Sequence, residues 1–414
     1  MRIALVSQEY PPETANGGIA SQTYLKAHGL AALGHEVVVL SHSIDHERHD
    51  YHDGPVAVTR IPGTCPVLRT ETEIARWLAY SHQVAAELDV MRRRHALDLI
   101  EFPEFGAEGF VYLLNQTPRS TITTVVQLHG PLVMLAHALG LPERHSELYR
   151  VGTFMEATCL RLADAVYSSS RCSARWCTEH YGLEPMVPVL HMGVDTASFV
   201  PRPAERDDRP TILFVGRVSP SKGVEVLLAA AIGLARRLPE LRLRLVGRVE
   251  APFLESLRDR AEAAGLPHLL EVTGPLPPAS LPGEFARADV FAAPSLYEGG
   301  PGLVYLEAMA SGLPVIACEG SGAAEVVRHG ENGNLVVPGD VASLEECLRS
   351  LFEDDEERGR MGQRARHYVL READTRVAVR RLESMYHDIL AGRGRTATLV
   401  SAVREDAHEE EKVP

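Results

Sequence analysis

The sequence lacks any uninterrupted apolar run of the roughly eighteen residues that a membrane-spanning helix needs. Its first ten residues, MRIALVSQEY, enter a strand-like pattern directly, without the charged segment and the apolar core of an export signal. The six cysteines have neither the density nor the spacing of a disulfide framework or a zinc site. These absences predict a cytoplasmic protein without a membrane span.

Positive charge is in deficit as well. The chain has 42 lysine and arginine residues against 56 aspartate and glutamate residues, which gives a formal net charge of -14. A protein that neutralises nucleic-acid phosphates usually carries a basic excess. The charge balance therefore argues against a nucleic-acid partner, while small anionic ligands can still be bound by local cations.

The 414 residues, 45% of them hydrophobic, suffice for two ordinary domains. Short apolar runs alternate with helical patterns, which is typical of parallel sheets covered by helices. We predict strands of a first sheet at residues 2–7, 35–41, 98–102 and 123–129. We predict strands of a second sheet at residues 211–216, 243–247, 270–274, 289–294, 314–317 and 334–338.

Prolines, charges and small residues mix at 192–210 and indicate a domain border. We predict one Rossmann-like domain over 1–195 and a second over 196–390. The last helix of the second domain is a candidate to pack back on the first. The pattern dissolves over 391–414, which predicts a mobile acidic tail.

The most informative segment is PSLYEGGPGLVYLEAMASGLPVIA, residues 294–317. It reads as a strand end, a glycine-rich turn with Glu298, a short helix with Glu307 and a buried strand. Three glycines lie between the two glutamates: Gly299, Gly300 and Gly302. They leave backbone N–H groups uncovered at a helix N-terminus, where anions are favoured. Because the carboxylates can accept hydrogen bonds from hydroxyls, the segment predicts a site for a phosphate and a sugar.

A pair of cations follows the first strand of the second domain, in GRVSPSKG at 216–223. Arg217 and Lys222 flank a turn that opens a helix, so both side chains can point into one crevice. They suit a diphosphate leaving group, which gains negative charge as its bond breaks. The alternative is a solvated loop with two surface cations, and we favour the diphosphate site.

Two features of the first domain lie where open α/β sheets place ligands. The turn Asn16-Gly17-Gly18 follows the opening strand, and its backbone can approach an anion closely. Its alternative interpretation is a plain helix N-cap. His129 ends a predicted strand, where an imidazole can bond a sugar hydroxyl or a reacting carbonyl, although most histidines in such positions are structural.

The segment EFPEFGAEG over 101–109 ends a predicted strand at the edge where open α/β sheets bind ligands, so it is the candidate site for a second substrate, an acceptor. Glu101, Glu104 and Phe105 are the candidate contacts. Carboxylates there would suit a polyol or a cationic aminosugar.

Two other clusters are set aside. Four histidines and three aspartates crowd a polar loop without the ordered spacing of zinc ligands: His42, His46, His49, His52, Asp45, Asp50 and Asp53. The run Arg92-Arg93-Arg94 is compatible with peripheral contact to an anionic membrane, but cations at a helix C-terminus are sufficient to explain it.

Taken together, the motifs resemble glycosyltransferase family 4. The resemblance extends from Arg2 to about residue 390 and is strongest from 211 to 340. It rests on these segments: VGRVSPSKG at 215–223, residues 294–317, MGVD at 192–195, and the opening glycine loop with GHEVVVL at 34–40. It implies an α/β protein of GT-B architecture, with two facing Rossmann-like domains and the active site in the interdomain cleft.

The resemblance also implies roles for single residues. In the second domain Arg217 and Lys222 would hold the diphosphate of a nucleotide sugar. Glu298 would contact the sugar and Glu307 the ribose, and the backbone of Gly299, Gly300, Gly302 and Leu303 would wrap sugar and phosphate. In the first domain Gly17 and Gly18 would approach the diphosphate, and His129 would bond the transferred sugar. The catalytic set is then His129, Glu298, Arg217 and Lys222.

One departure concerns the two glutamates. The family usually places seven residues between them, whereas eight lie between Glu298 and Glu307. We expect the glycine-rich turn to accommodate the extra residue. The departure affects the sugar contact of Glu298 more than the ribose contact of Glu307.

The implied reaction moves a hexose or N-acetylhexosamine from a nucleoside-diphosphate sugar to a hydroxyl acceptor, with retention of anomeric configuration. UDP is favoured as the nucleotide, and GDP is the alternative. The acceptor is a small molecule, a glycan or a lipid-linked molecule. No resident cofactor is expected, and no Asp-x-Asp motif ends a strand, so we predict activity without a metal.

Three other classes of protein are alternatives. A nucleotide-sugar epimerase of the same fold would use the cleft without an acceptor. A non-catalytic sugar-nucleotide-binding protein is disfavoured by the presence of Arg217, Lys222 and both glutamates. A nicotinamide dehydrogenase would need a G-x-G-x-x-G turn after a strand, and the sequence has none in that context.

Overall fold

The computed structural model describes residues 1–392 except 15–16, 66–67, 69, 95, 118–121, 184–186 and 203–204. The described chain forms two α/β units, built on sheets of seven and six strands. Two predicted features lie outside the described residues, namely Asn16 of the opening turn and the acidic tail from residue 393 onward.

The strands of the first sheet are β1 (Arg2–Val6), β2 (Glu36–Ser43), β3 (His49–Asp53), β4 (Val56–Pro62), β5 (Leu99–Pro103), β6 (Thr123–Leu128) and β7 (Ala165–Ser168). Their order is β3-β4-β2-β1-β5-β6-β7, with β3 antiparallel and the other neighbours parallel. The helices are α1 (Gly18–Ala32), α2 (Glu73–Arg94), α3 (Phe110–Leu114), α4 (Leu132–Leu139), α5 (Glu147–Leu162) and α6 (Arg171–Tyr181).

The strands of the second sheet are β8 (Thr211–Val215), β9 (Arg242–Val246), β10 (Leu270–Gly274), β11 (Val290–Ala292), β12 (Val315–Cys318) and β13 (Gly333–Val336). They pair in parallel in the order β10-β9-β8-β11-β12-β13. The helices are α7 (Val224–Ala235), α8 (Ala251–Ala263), α9 (Leu281–Arg287), α10 (Leu303–Ala310), α11 (Val341–Glu353), α12 (Asp355–Glu372) and α13 (Thr375–Leu390). None of the described helices is long and apolar enough to cross a membrane.

Each predicted strand coincides with a strand of the structure, because strands covered by helices on both faces read as short apolar runs. The central strand β8, TILFV, is buried at every position. The prediction missed β3, β4 and β7. The first, HDYHD, is a polar edge strand, and the last is only four residues long.

The last helix, α13, packs against α1 of the first unit. Val379, Leu382 and Tyr386 of α13 share one apolar cluster with Leu30 of α1. The two helices approach closely, since a Cβ added to Gly29 would lie 2.5 Å from a methyl carbon of Val379. The end of the chain thus contributes to the core of its first half.

A buried polar network ties α13 to the first sheet. Glu101 on β5 is 3% exposed, and its carboxylate pairs with the ammonium of Lys26. Its Oε2 accepts hydrogen bonds from the hydroxyls of Tyr167, at 2.9 Å, and Tyr386, at 2.5 Å. A buried carboxylate needs such partners to offset its lost hydration. Glu101 therefore serves the internal structure of the first unit, in place of the acceptor contact suggested by the sequence.

We predict that Tyr386→Phe lowers the free energy of unfolding by about 2 kcal/mol, because it removes a hydrogen bond to a buried charged group. Tyr368→Phe on α12 is the control, since its hydroxyl lies outside this network. Urea unfolding followed by circular dichroism measures both. Equal stability of the two variants would contradict a stabilising role for the network.

Candidate active site

The carboxyl ends of the two parallel sheets face each other across a cleft. The chain leaves β6 at His129-Gly130 and leaves β11 at the turn that contains Glu298 and Gly299. A Cβ added to Gly299 would lie 3.0 Å from the carbonyl oxygen of His129, and one added to Gly130 would lie 3.0 Å from the hydroxyl of Tyr297. Two segments that the sequence suggested independently are therefore in contact.

The structure brings Lys222 and Glu298 together. Their ammonium and carboxylate groups lie 2.5 Å apart, and both side chains are largely buried. Lys222 ends a short 3-10 turn after β8, and Gly223 follows it with a φ of +68°. A Cβ at Gly223 would lie 2.0 Å from the carbonyl oxygen of Pro294, so only glycine allows this close approach. That approach places the ammonium group of Lys222 beside the turn that contains Glu298 and Gly299, which we call the glutamate turn.

Arg217 is exposed at the end of β8, and its charge acts on Glu9 of the first domain. Burial raises the pKa of Glu9, and hydrogen bonds from the backbone N–H groups of Ala20 and Gly17, together with Arg217, oppose that rise. The carboxylate of Glu9 thus lies at the N-terminus of α1, where Gly17 and Gly18 were predicted to approach a phosphate. Another anion could reach these N–H groups only by displacing this carboxylate.

His129 is positioned through its backbone. The carboxylate of Glu104 accepts hydrogen bonds from the N–H groups of His129, at 2.7 and 2.8 Å, and of Gly130, at 2.6 Å. Glu104 is fully buried, and burial raises its pKa to about 7. The residue therefore holds the turn that carries the histidine, which replaces the acceptor contact expected from the sequence.

The imidazole of His129 is neutral at physiological pH. Burial, followed by the charge of Lys26, lowers its pKa to about 3. Its Nδ1 is buried and has no hydrogen-bond partner among the described residues. A neutral imidazole can form a hydrogen bond with a hydroxyl. A protonated imidazole would instead attract the anionic diphosphate.

Glu307 lies on α10, the helix that directly follows the turn with Glu298. Burial raises its pKa to about 7, and its Oε2 is buried without a hydrogen-bond partner in the described structure. The helix begins after Gly302, which has a φ of +71°, and no described side chain caps it. Helix α10 therefore carries both the unpartnered carboxylate oxygen of Glu307 and an N-terminus that no described side chain caps.

On the acceptor side Phe105 is the exposed member of the three predicted contacts. It is 36% exposed and makes an edge contact with Trp77, at a ring distance of 5.7 Å. The neighbouring Glu108 is buried and accepts hydrogen bonds from the backbone N–H of Gln8, at 3.0 and 3.1 Å. Burial raises the pKa of Glu108 to about 8.

Sequence reasoning missed several residues that shape the cleft: Glu9, Glu108, Ser170, Ser173, Tyr297 and Glu325. The three serines at 168–170 before α6 were a recognisable helix-capping signal, and Ser170 does cap that helix. The charge of Arg217 on Glu9 and the contacts of Glu325 with α6 connect segments far apart in the chain, so no local pattern indicates them.

No group of three or more histidine, cysteine, aspartate or glutamate side chains among the described residues could hold a metal ion. The described part includes the histidine-rich hairpin of β3, where that cluster was considered. Metal independence of the reaction stays a prediction.

Two family models match the chain: one described as "Glycosyl transferase 4-like domain" over residues 17–193, and one as "Glycosyl transferases group 1" over residues 196–368. A GDP-mannose-dependent alpha-(1-6)-phosphatidylinositol monomannoside mannosyltransferase of Mycolicibacterium smegmatis is 31% identical, over 88% of this chain and 93% of its own. A D-inositol 3-phosphate glycosyltransferase of Corynebacterium glutamicum is 31% identical, over 63% of this chain and 67% of its own.

Solved structures are similar in fold. Sucrose-phosphate synthase of Thermosynechococcus elongatus matches with a TM-score of 0.81 and 21% identity, over 94% of this chain and 99% of its own. Anabaena HepE in complex with UDP-glucose matches with a TM-score of 0.71 and 21% identity, over 94% of this chain and 100% of its own. The two facing sheets and the cleft thus define a GT-B glycosyltransferase fold. The chain belongs to the family 4 type of glycosyltransferases, as its motifs suggested.

The pKa of Glu307 gives a testable pH dependence. In the ribose-binding role that the family resemblance implies for Glu307, only the ionised carboxylate can accept hydrogen bonds from both hydroxyls, and a pKa of about 7 leaves it mostly protonated at pH 6. We predict that the KM for the donor rises about tenfold from pH 8 to pH 6, as expected for one proton competing with the ligand.

Initial rates with the nucleotide sugar at each pH measure this effect. Glu307→Gln is the control, because the glutamine cannot ionise. Its KM for the donor should be high at every pH and should not change with pH. Retention of the full pH dependence in that variant would assign the titration to another group.

Proposed function

We propose that the protein is a retaining glycosyltransferase that moves a hexose or an N-acetylhexosamine from a nucleoside-diphosphate sugar to a hydroxyl acceptor. The observation that carries this proposal is the contact of Lys222 with Glu298, beside the uncapped end of α10 and opposite His129. A cation for a phosphate and a carboxylate for hydroxyls meet there in one cleft.

In this proposal Arg217 and Lys222 bind the diphosphate, and the N–H groups that follow Gly302 bind its oxygens. Glu298 leaves Lys222 and accepts hydrogen bonds from the sugar hydroxyls. Glu307 accepts hydrogen bonds from the ribose, which supplies the partner that its buried oxygen has not found within the described structure.

The reaction follows from stabilisation of the leaving group. As the bond between the anomeric carbon and the phosphate oxygen breaks, positive charge develops on the sugar and negative charge on the diphosphate. Arg217, Lys222 and the helix N–H groups are already arranged to stabilise that anion. The acceptor oxygen bonds to the anomeric carbon on the face that the diphosphate leaves, and a phosphate oxygen takes the acceptor's proton. The anomeric configuration is therefore retained.

The nucleotide and the acceptor are proposed from the relatives. The sequence alone favoured UDP, whereas the mannosyltransferase relative is by its name GDP-mannose-dependent. We therefore propose GDP-mannose as the first donor to test and UDP sugars as the second. The names of both relatives contain an inositol-based acceptor, which supports a polyol hydroxyl, free or lipid-linked, as the acceptor.

A panel of nucleotide sugars tests the class of reaction. We expect nucleoside diphosphate to be released from one donor, faster when a polyol acceptor is present, and at the same rate in a chelator of divalent metals. A donor that changes only at one stereocentre would indicate an epimerase. Binding without turnover of any donor would favour a sugar-nucleotide-binding protein, and loss of activity in the chelator would refute metal independence.

The cations are tested by substitution. We predict that Arg217→Ala and Lys222→Ala each lower kcat by about 100-fold to 1000-fold, the usual effect of removing one group that stabilises a developing anion. Arg237→Ala is the matched control, because Arg237 is exposed beyond the opposite end of α7 from Lys222. Steady-state rates of nucleoside diphosphate release measure all three. Unchanged turnover in the double variant of Arg217 and Lys222 would exclude their role.

A further inference from the structure

Side chains at the N-terminus of helix α6, in the first domain, donate hydrogen bonds to the glutamate turn of the second domain. The hydroxyls of Ser170 and Ser173 both donate to the carbonyl oxygen of Gly299, in the case of Ser173 at 2.7 Å. Both serines are fully buried. Because Gly299 has no side chain, its carbonyl oxygen is the group by which the other domain can hold this part of the turn.

The second domain in turn satisfies the N-terminus of α6. Glu325 ends a 3-10 turn, Gly322–Glu325, and its carboxylate accepts hydrogen bonds from the N–H groups of Arg171 and Cys172, each at 2.9 Å. The first N–H groups of a helix have no partner within the helix, and a carboxylate there is favoured by the helix dipole. Glu325 therefore makes a charged cap between domains.

The same 3-10 turn also supports the glutamate turn from within its own domain. The N–H of Gly322 donates to the carbonyl oxygen of Glu298 at 2.9 Å. A Cβ added to Gly322 would lie 2.3 Å from the carbonyl oxygen of Gly300, so the two turns are in close contact. The backbone around Glu298 is thus held from one side by its own domain and from the other by α6.

These contacts are polar, and the apolar clusters of the two domains remain separate at this point. When the domains move apart, water can replace each hydrogen bond, so opening costs little free energy. Closure restores all of them together. A cleft that must admit a donor and release a product requires such reversible contacts.

We propose that Ser170, Ser173 and Glu325 are positioning residues that couple closure of the cleft to the shape of the sugar-binding turn. The inference rests on the proposed function of that turn. The bond from Gly322 to Glu298 persists in the open state, whereas the carbonyl oxygen of Gly299 has its serine partners only when the domains are closed. The turn is therefore held on both sides, with Glu298 in its sugar-binding position, only in the closed state. Closure would therefore strengthen the contacts of the protein with the sugar. Arg217 and Lys222 would still bind the nucleotide diphosphate in the open state.

The test uses Ser173→Ala and Glu325→Gln in the full chain. Ser173 is chosen over Ser170 because Ser170 also caps α6 by accepting a hydrogen bond from the N–H of Ser173. Thr178→Val is the matched control, since the hydroxyl of Thr178 bonds within α6, to Ala174. We expect kcat/KM for the nucleotide sugar to fall about tenfold in both variants and to stay unchanged in the control.

The affinity for the free nucleoside diphosphate should stay within about twofold of the wild type, a split that a general loss of folding would not produce. An equal loss of nucleoside diphosphate affinity, or unchanged kcat/KM in both variants, would overturn the proposal.

Small-angle X-ray scattering provides a readout that does not need turnover. With saturating GDP or UDP as the probe, Glu325→Gln should show a larger radius of gyration than the wild type. Identical scattering of the two proteins would overturn the proposal even if the panel of donors revealed no transferase activity. Absence of turnover in the wild type would instead refute the proposed function.

Discussion

The contact between the ammonium of Lys222 and the carboxylate of Glu298 is the interaction around which the cleft is organised. It joins the turns after β8 and β11, which are neighbours in the sheet although Lys222 and Glu298 are 76 residues apart in the chain. Gly223 allows that approach, because a Cβ there would clash with the carbonyl oxygen of Pro294. In the described structure the ion pair gives each group a partner of opposite charge. In the proposed function a phosphate would take the place of the carboxylate, and sugar hydroxyls would take the place of the cation.

The carboxylates of the first domain follow a different physical rule. The segment EFPEFGAEG looks like a row of ligands for an acceptor, yet Glu101, Glu104 and Glu108 are all buried. Glu101 is satisfied by Lys26 and two tyrosine hydroxyls, and the other two accept hydrogen bonds from backbone N–H groups. A buried carboxylate is stable only when its oxygens have such partners. Glu104 therefore holds the turn that carries His129, and Glu108 holds the loop that follows β1, while Glu101 ties α13 to the first sheet.

Much of the fold was predictable because parallel strands buried on both faces have a strong local signal. The predicted strands of the central sheets are present, whereas β3, a polar edge strand, and β7, four residues long, carry too little signal. The candidate site residues Arg217, Lys222, Glu298 and Glu307 stand in local motifs, and their roles stay predictions. No local pattern indicates the charge of Arg217 on Glu9, or the cap that Glu325 makes on a helix that begins 154 residues earlier in the chain.

The sequence by itself determined the class of fold and the family. These properties depend on short-range patterns: apolar periodicity, glycines at turns, and charges beside a helix start. Only the tertiary structure decided which carboxylates face the cleft and which are buried inside the first domain with internal hydrogen-bond partners. It also decided that α13 completes the first domain's core and that α6 holds the turn at Gly299. Burial and hydrogen-bond partners are properties of residues distant in the chain, so no local pattern encodes them.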